Sequence, residues 1–126
     1  MPAKLGPRIL PCLFTSDMRR TLEFYVEVLG FTQTGYYPIA SDPIRTEVRR
    51  DDVALVFYSE GRHTGPEAAS LSGLLYLFPE NLETLADELR ARKVPILWGP
   101  ELNELGYREL AIRDPNGYVL AFAERA

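Results

Sequence analysis

Residues 107–124 of this chain, YRELAIRDPNGYVLAFAE, contain the clearest indication of its fold. Two runs rich in apolar residues flank the sequence DPNG at 114–117, which favours a tight turn, so the stretch predicts a β-hairpin. Residues 49–60, RRDDVALVFYSE, have a similar form, with the pair Asp51-Asp52 at the turn. The two hairpins lie about 64 residues apart, and this spacing indicates an internal duplication.

The elements around each hairpin occur in the same order. In the first half, a strand at 8–14 precedes an amphipathic helix at 17–29, and three strands follow at 31–37, 44–50 and 53–58. In the second half, a strand at 72–78 precedes a helix capped by Asn81, and three strands follow at 94–98, 107–113 and 118–123. We therefore predict two βαβββ units, at residues 8–60 and 72–124, within one α+β domain that spans residues 1–126.

A helix on one side of each predicted sheet leaves the other side uncovered. Because sheets twist, we expect the two units to curl toward each other and form a cup-shaped mixed sheet. Concave pockets of this kind are where proteins bind small molecules.

Composition excludes several classes of protein. The chain has 126 residues, of which 46% are hydrophobic and 25% charged, as in a single soluble domain. The N-terminus lacks the apolar segment of a signal peptide and no apolar run is long enough to cross a membrane, so we expect a cytoplasmic protein with no membrane partner. Cys12 is the only cysteine, which excludes an intrachain disulfide and a cysteine-based zinc site.

The net charge of the chain is −4, and no basic patch is visible in the sequence. Nucleic-acid binding requires such a patch, so we expect no nucleic-acid partner. An acidic cleft would attract a cationic small molecule. The alternative is that the charge only keeps the protein in solution.

Strand alternation places several aromatic residues on or near the expected cup, namely Phe57, Tyr76, Trp98 and Tyr107. Such rings can stack on a planar ligand and attract a cation, but they can equally pack the core. Tyr37, near the start of a loop, is a candidate contact at the rim.

Charged and polar candidates lie on the same strands. The carboxylates of Glu47 and Glu109 could meet a positive charge on a ligand, although surface ion pairs would also explain them. Arg108 precedes Glu109, so alternation predicts that one of the two faces the cup, and a free Arg108 would select an anionic ligand instead. Cys12 lies on the expected cup face, where an inert buried thiol is the alternative to a ligand contact. His63, the only histidine, is predicted to lie in a solvated linker between the units.

Two segments carry a resemblance to a known family. The first contains Asp17, LEFY at 22–25 and LGF at 29–31, and the second is the hairpin at 107–124. Together they resemble the glyoxalase/bleomycin resistance/extradiol dioxygenase group, the vicinal oxygen chelate superfamily. The resemblance covers nearly the whole chain and implies the tandem βαβββ fold with a small-molecule site in the cup, while leaving the reaction open.

The resemblance also implies where a metal would bind. Enzymes of this superfamily hold a divalent metal through His, Glu or Gln on the first and last strands of each unit. None of the matching positions carries a metal-binding side chain; they are Leu10, Leu55 or Phe57, Gly73 or Leu74, and Ala121. We therefore predict neither a metal nor another cofactor.

The absence of these metal ligands makes the chain most similar to the bleomycin-resistance-like branch, whose members are metal-free dimers that sequester a drug. This resemblance implies a homodimer with a role in antibiotic resistance, which holds an aromatic or cationic ligand in an apolar cleft and makes or breaks no bond. Two alternatives remain open. One is a lyase, isomerase or dioxygenase of the same superfamily, and the other is a structural or regulatory module whose cup is empty.

Overall fold

The computed structural model describes residues 2–38, 42–60, 65, 68–69 and 71–126. The first half of the chain contains β1 (Cys12–Phe14), α1 (Met18–Leu22) continued by a π-helical segment (Glu23–Val28), β2 (Thr32–Tyr37), β3 (Arg45–Arg50) and β4 (Val53–Tyr58). The second half contains β5 (Leu75–Leu77), α2 (Leu82–Ala91), β6 (Ile96–Leu102), β7 (Tyr107–Arg113) and β8 (Val119–Arg125). Within this part of the chain, no helix is long and apolar enough to cross a membrane.

The strands form two four-stranded mixed sheets with the same topology. The first sheet has the order β1-β4-β3-β2 and the second the order β5-β8-β7-β6. In each sheet the short first strand pairs in parallel with the last, and the other pairs are antiparallel. This arrangement confirms the predicted α+β fold with tandem βαβββ units.

Several predicted elements differ in extent from the observed ones. The strands predicted at 8–14 and 72–78 are only three residues long, and β1 begins directly after Pro11, which has no N–H to donate to a sheet. β6 continues through residues 99–102, beyond the predicted end of this strand at residue 98, and its pairing with β7 has two irregularities. His63 lies outside the described residues.

The first helix begins as predicted but changes its hydrogen bonding. Asp17 caps the first turn by accepting a hydrogen bond from the Arg20 N–H at 3.0 Å. From Glu23 onward the helix is a π-helix, and the Leu29 N–H bonds to the Phe24 carbonyl five residues earlier. Apolar spacing of three and four residues does not distinguish an α-helix from a π-helix over so short a segment, so the sequence predicted only a helix.

One hydrophobic core lies between the two sheets. Its members come from the helical segments, such as Tyr25 and Leu85, and from alternate positions of the strands, including Leu55 and Phe57 of β4 and Leu120 and Phe122 of β8. The strand faces that carry these core residues are called the inner faces. Because both inner faces contribute to a common core, the two opposite faces, here called outer faces, lie on opposite sides of the molecule.

Polar contacts join the two units at one end of the core. The Tyr25 hydroxyl donates to Asp114 Oδ2 at 2.9 Å, and the Tyr118 hydroxyl donates to the Phe14 carbonyl at 2.8 Å. Thr15 donates to Asn116 Oδ1 at 2.7 Å. The DPNG turn predicted from sequence therefore also binds the second unit to the first.

Candidate functional site

The outer face of the second sheet has a floor of small residues between two aromatic side chains. The strand registers place Tyr76, Ala121, Ala111 and Trp98 in one row across the four strands. Ala123 and Glu109 are paired in the next row. Since alanine ends at Cβ, the central strands leave room for the two edge rings to lean over the sheet toward Glu109.

Glu109 is the polar centre of this face. Its side chain is 5% exposed and accepts three hydrogen bonds. The Tyr76 hydroxyl and the Asn103 amide donate to Oε1, and the Trp98 indole N–H donates to Oε2, with 2.9 Å for the tyrosine and tryptophan contacts. All three donors are neutral, and the described residues give Glu109 no ion pair.

The three hydrogen bonds determine the ionisation of Glu109. Burial would raise the pKa of this carboxyl, but the bonds from Asn103, Trp98 and Tyr76 outweigh burial and hold its pKa below the ordinary value. The bond to Glu109 in turn raises the pKa of Tyr76. Glu109 is therefore a fixed negative charge at neutral pH, and its low pKa makes it a weak general base.

Two features of the neighbouring backbone hold Glu109 and its donors in place. Gly99 has φ +84°, and a Cβ there would lie 2.1 Å from the Glu109 carbonyl oxygen, so only glycine allows β6 to pass this closely. Asn103 Oδ1 accepts from the N–H groups of Leu105 at 2.8 Å and Tyr107 at 3.1 Å. The same side chain therefore orders the β6–β7 loop and orients the carboxylate.

An aromatic and cationic rim extends from this centre. Phe78 stacks with Tyr76 at a centroid distance of 6.3 Å and lies 6.1 Å from Tyr107. The Arg125 guanidinium lies 4.5 Å above the Tyr107 ring and donates to its hydroxyl at 3.1 Å. Tyr76 and Phe78 are 44% and 64% exposed, so their rings are accessible from solution.

The outer face of the first sheet carries three other predicted residues. Cys12, Val56 and Glu47 are adjacent in one row of paired strands, and Cys12 is exposed rather than buried. Glu47 accepts from Thr34 at 2.7 Å, and Arg45 contacts Cys12 Sγ at 3.3 Å.

The exposed Tyr37 completes this face, which contains a cleft of about 240 Å³ lined in part by Tyr37, Arg45, Glu47 and Val56. Since the two outer faces lie on opposite sides of the core, one chain does not bring these residues to Glu109.

Two predicted site residues lie elsewhere. Phe57 is fully buried on the inner face, 4.8 Å from the Tyr25 ring, so its expected place in the cup is wrong. The error is one of register, because a shift of one residue exchanges the faces of a strand. Arg108 projects to the helix side, where it forms an ion pair with Glu83 at 3.5 Å. Glu109, and not Arg108, therefore lies on the outer face.

Three residues of this site were not among those predicted, namely Phe78, Asn103 and Arg125. Strand alternation already placed Phe78 on the face of Tyr76. Asn103 lies in the β6–β7 loop, and Arg125 lies at the end of the last strand. The spacing of apolar residues in the sequence predicts neither the contact of Asn103 with Glu109 nor that of Arg125 with Tyr107.

The superfamily's metal does not fit the residues of either outer face. The positions paired across the parallel strands are Cys12 with Val56 and Tyr76 with Ala121, a set without an imidazole or a carboxylate. Among the described residues, no three His, Cys, Asp or Glu side chains are grouped so that they could hold a metal ion. The arrangement supports binding through aromatic rings and one buried carboxylate.

Comparisons with known proteins agree with this architecture. The family model for the Glyoxalase/Bleomycin resistance protein/Dioxygenase superfamily matches residues 8–122. TnmS3, described as an antibiotic binding protein from Streptomyces sp. CB03234, has a TM-score of 0.76 at 21% identity, with 99% of this chain and 100% of that chain covered. No curated protein matches the chain significantly.

Two further solved structures share the fold. The integron cassette protein VCH_CASS1 from V. cholerae has a TM-score of 0.77 at 18% identity, with 98% of each chain covered. A glyoxalase/bleomycin resistance protein/dioxygenase from Nocardioides has a TM-score of 0.71 at 21% identity, covering 97% of this chain and 85% of that chain. At these identities the comparison supports the fold alone.

Proposed function

Because the chain belongs to the Glyoxalase/Bleomycin resistance protein/Dioxygenase superfamily, we propose that it is a metal-independent binding protein that sequesters a small aromatic cation. The ligand lies on the outer face of the second sheet, over the alanine floor and between the rings of Tyr76, Phe78 and Trp98. The observation that carries the proposal is the nearly buried Glu109 carboxylate, which has three neutral donors and no cationic partner among the described residues.

The chemistry of the face specifies the ligand. A buried carboxylate is stabilised further by a cationic group that brings its own N–H donors. The exposed rings of Tyr76 and Phe78 offer flat apolar surface and attract positive charge. An anionic ligand would be repelled by Glu109. Arg108, which could have reversed this preference, lies on the other side of the sheet in contact with Glu83, and the Arg125 guanidinium at the rim is held over the Tyr107 ring. The description of TnmS3 as an antibiotic binding protein is consistent with a drug-like ligand.

We also propose that the protein acts as a homodimer. Each outer face is open, and β1 and β5 are short edge strands with one neighbour each. A second copy that pairs its first sheet with the second sheet of its partner would place Glu47, Tyr37 and Cys12 opposite Glu109 and enclose the ligand. The exposed, unpaired thiol of Cys12 fits a reducing compartment, which supports a cytoplasmic location.

A calorimetric titration with two matched probes tests the proposed function. The cation is 9-aminoacridine and the anion is acridine-9-carboxylate, which has the same ring system. We expect saturable binding of the cation, binding of the anion at least about tenfold weaker, and loss of this preference in Glu109→Gln, which keeps the shape of the side chain but removes its charge. Equal binding of both probes to the unmodified protein would contradict the proposal.

A further inference from the structure

The two units meet at two junctions that occupy corresponding positions in the repeated topology. The closed junction lies where the DPNG turn contacts β1 and the start of α1, and its side chains are buried and hydrogen-bonded. The open junction lies where the β3–β4 turn faces the end of β5 and the start of α2. A cleft of about 560 Å³ lies there, which is within the usual range for small-molecule sites.

Differences in turn length account for the open junction. In the β7–β8 hairpin the Asp114 N–H bonds to the Tyr118 carbonyl around three residues. In the β3–β4 hairpin Arg50 pairs with Val53, and the turn between them contains only two residues, Asp51 and Asp52. The turn that faces the cleft is therefore one residue shorter, and Val53 stands where the other hairpin has Tyr118.

Differences in side chains enlarge the same space. Counted from the helix caps Asp17 and Asn81, the buried Thr15 and Tyr25 of the closed junction correspond to Pro79 and Leu89. The open junction therefore lacks the hydroxyl groups that bind the DPNG turn in the closed one. Within the described part of the chain, it has no counterpart of the contact between Tyr25 and Asp114.

The cleft combines an apolar floor with an acidic rim. The floor consists of buried core side chains, namely Leu29, Phe31, Leu77, Leu85 and Phe122. The rim carries Arg50, Asp51, Asp52, Glu80 and Glu88. Arg50 is engaged by Glu88 at 3.1 Å and by the Leu29 carbonyl at 2.9 Å, and the described residues give the other three carboxylates no ion-pair partner.

We propose that the open junction is a second binding site, separate from the face around Glu109, and that it takes a small organic amine with an apolar body. The apolar body occupies the space that Tyr118 and its neighbours fill in the closed junction. The ammonium group remains at the rim, where three unpaired carboxylates outnumber the one arginine, itself already paired. Phe78 borders both sites, since it lines the cleft and also stacks with Tyr76.

An NMR titration of the ¹⁵N-labelled protein with 4-phenylbutylamine tests this site, with 4-phenylbutyrate as the anionic control. We expect the amine to shift the backbone resonances of Leu77, Glu80 and Leu85 in a saturable way, and the acid to leave them unchanged. The indole resonance of Trp98 reports separately on the face around Glu109, so the same spectra distinguish binding at the two sites. Shifts at Trp98 without shifts at the junction would overturn this inference and leave the proposed function standing.

Two variants separate the contributions of space and charge. Val53→Tyr, which restores the residue found in the other hairpin, should fill the cleft and weaken binding of the amine about tenfold or more. The double variant D52N/E80Q leaves the volume of the cleft unchanged and should weaken binding of the amine about fivefold, as expected for partly screened surface charges. Unchanged affinity in the double variant would contradict a site for amines, even if Val53→Tyr failed to fold.

Discussion

At the scale of single residues, Glu109 is unusual because it is nearly buried and charged without a cationic neighbour among the described residues. The three donors around it come from β5, β6 and the β6–β7 loop, so its environment depends on residues far apart in sequence. Alternation along β7 predicts that either Arg108 or Glu109 faces outward, but it does not choose between them. In the structure Glu109 faces outward, and Arg108 pairs with Glu83 of α2 on the other side.

The lowered pKa of Glu109 predicts a difference in acid stability between the unmodified protein and Glu109→Gln. A carboxyl whose pKa is lower in the folded state stabilises the fold above its unfolded pKa, and this contribution is lost as pH falls through the folded pKa. The stability advantage of the unmodified protein over E109Q should therefore shrink as pH falls below about 4.3. Urea denaturation of both proteins at pH 7 and at acidic pH measures it. An advantage that does not change with pH would contradict the hydrogen-bonded, ionised state of Glu109.

At the scale of elements, the close approach of β6 to β7 is what brings Trp98 to Glu109. Gly99 permits this approach, and β6 therefore continues beyond residue 98, the predicted end of this strand. The limits of β3, β4 and β7 followed from turn residues and alternation. The sequence did not show which residues of β4 face the core, because this strand is a continuous apolar run and its two faces have similar residues. Phe57 was therefore assigned to the wrong face.

Substitution of Gly99 by alanine should loosen the site, and Gly106 provides a matched control. Both glycines have positive φ, at +84° and +86°, but a Cβ at Gly106 would meet no atom within 4 Å. Both variants carry the backbone cost of about 1 kcal/mol. Gly99→Ala should lose about 2 kcal/mol more in the free energy of unfolding, because its Cβ clashes with the Glu109 carbonyl. Equal losses in urea denaturation would show that the approach of β6 is not tightly constrained.

The closed junction should contribute measurably to stability. Asp114→Ala leaves the buried Tyr25 hydroxyl and the N–H groups of Asn116 and Tyr118 without their acceptor, and should cost about 2–4 kcal/mol in the free energy of unfolding. Tyr25→Phe removes one bond and should cost about 1 kcal/mol. Tyr36→Phe, at an exposed tyrosine, is the control and should change little. A loss in D114A no larger than that in the control would contradict a structural role for the network.

At the scale of the whole molecule, the sequence predicted two similar units that curl toward each other, whereas in the structure their inner faces share one core and their outer faces point apart. That outcome depends on contacts such as the one between Tyr25 and Asp114, which are about ninety residues apart in the sequence. Contacts over this separation do not follow from the periodicity of apolar residues. The common core directs the two outer faces away from each other. The predicted site residues are therefore divided between two surfaces, and a dimer is the arrangement that would reunite them.

The proposed homodimer can be tested by sedimentation velocity. The chain has a mass of 14.3 kDa, and we expect a species of twice this mass at micromolar concentration. Tyr37→Glu adds a charge to the exposed outer face of the first sheet and should shift the equilibrium toward monomer, whereas Leu105→Glu, in the β6–β7 loop of the second sheet, tests whether that loop also belongs to the interface. A monomer at all concentrations would contradict the enclosed site but not the open face around Glu109.

The most direct test of the central claim follows the single tryptophan of the chain by NMR. Trp98 gives one indole N–H resonance, and this group donates to Glu109 Oε2. On titration with 9-aminoacridine, this resonance should shift and saturate with the affinity measured by calorimetry, and acridine-9-carboxylate should leave it in place. In Glu109→Gln the response to the cation should weaken about tenfold. Binding of the cation that leaves the Trp98 indole resonance unmoved would contradict the account, because the ligand would then lie away from Glu109.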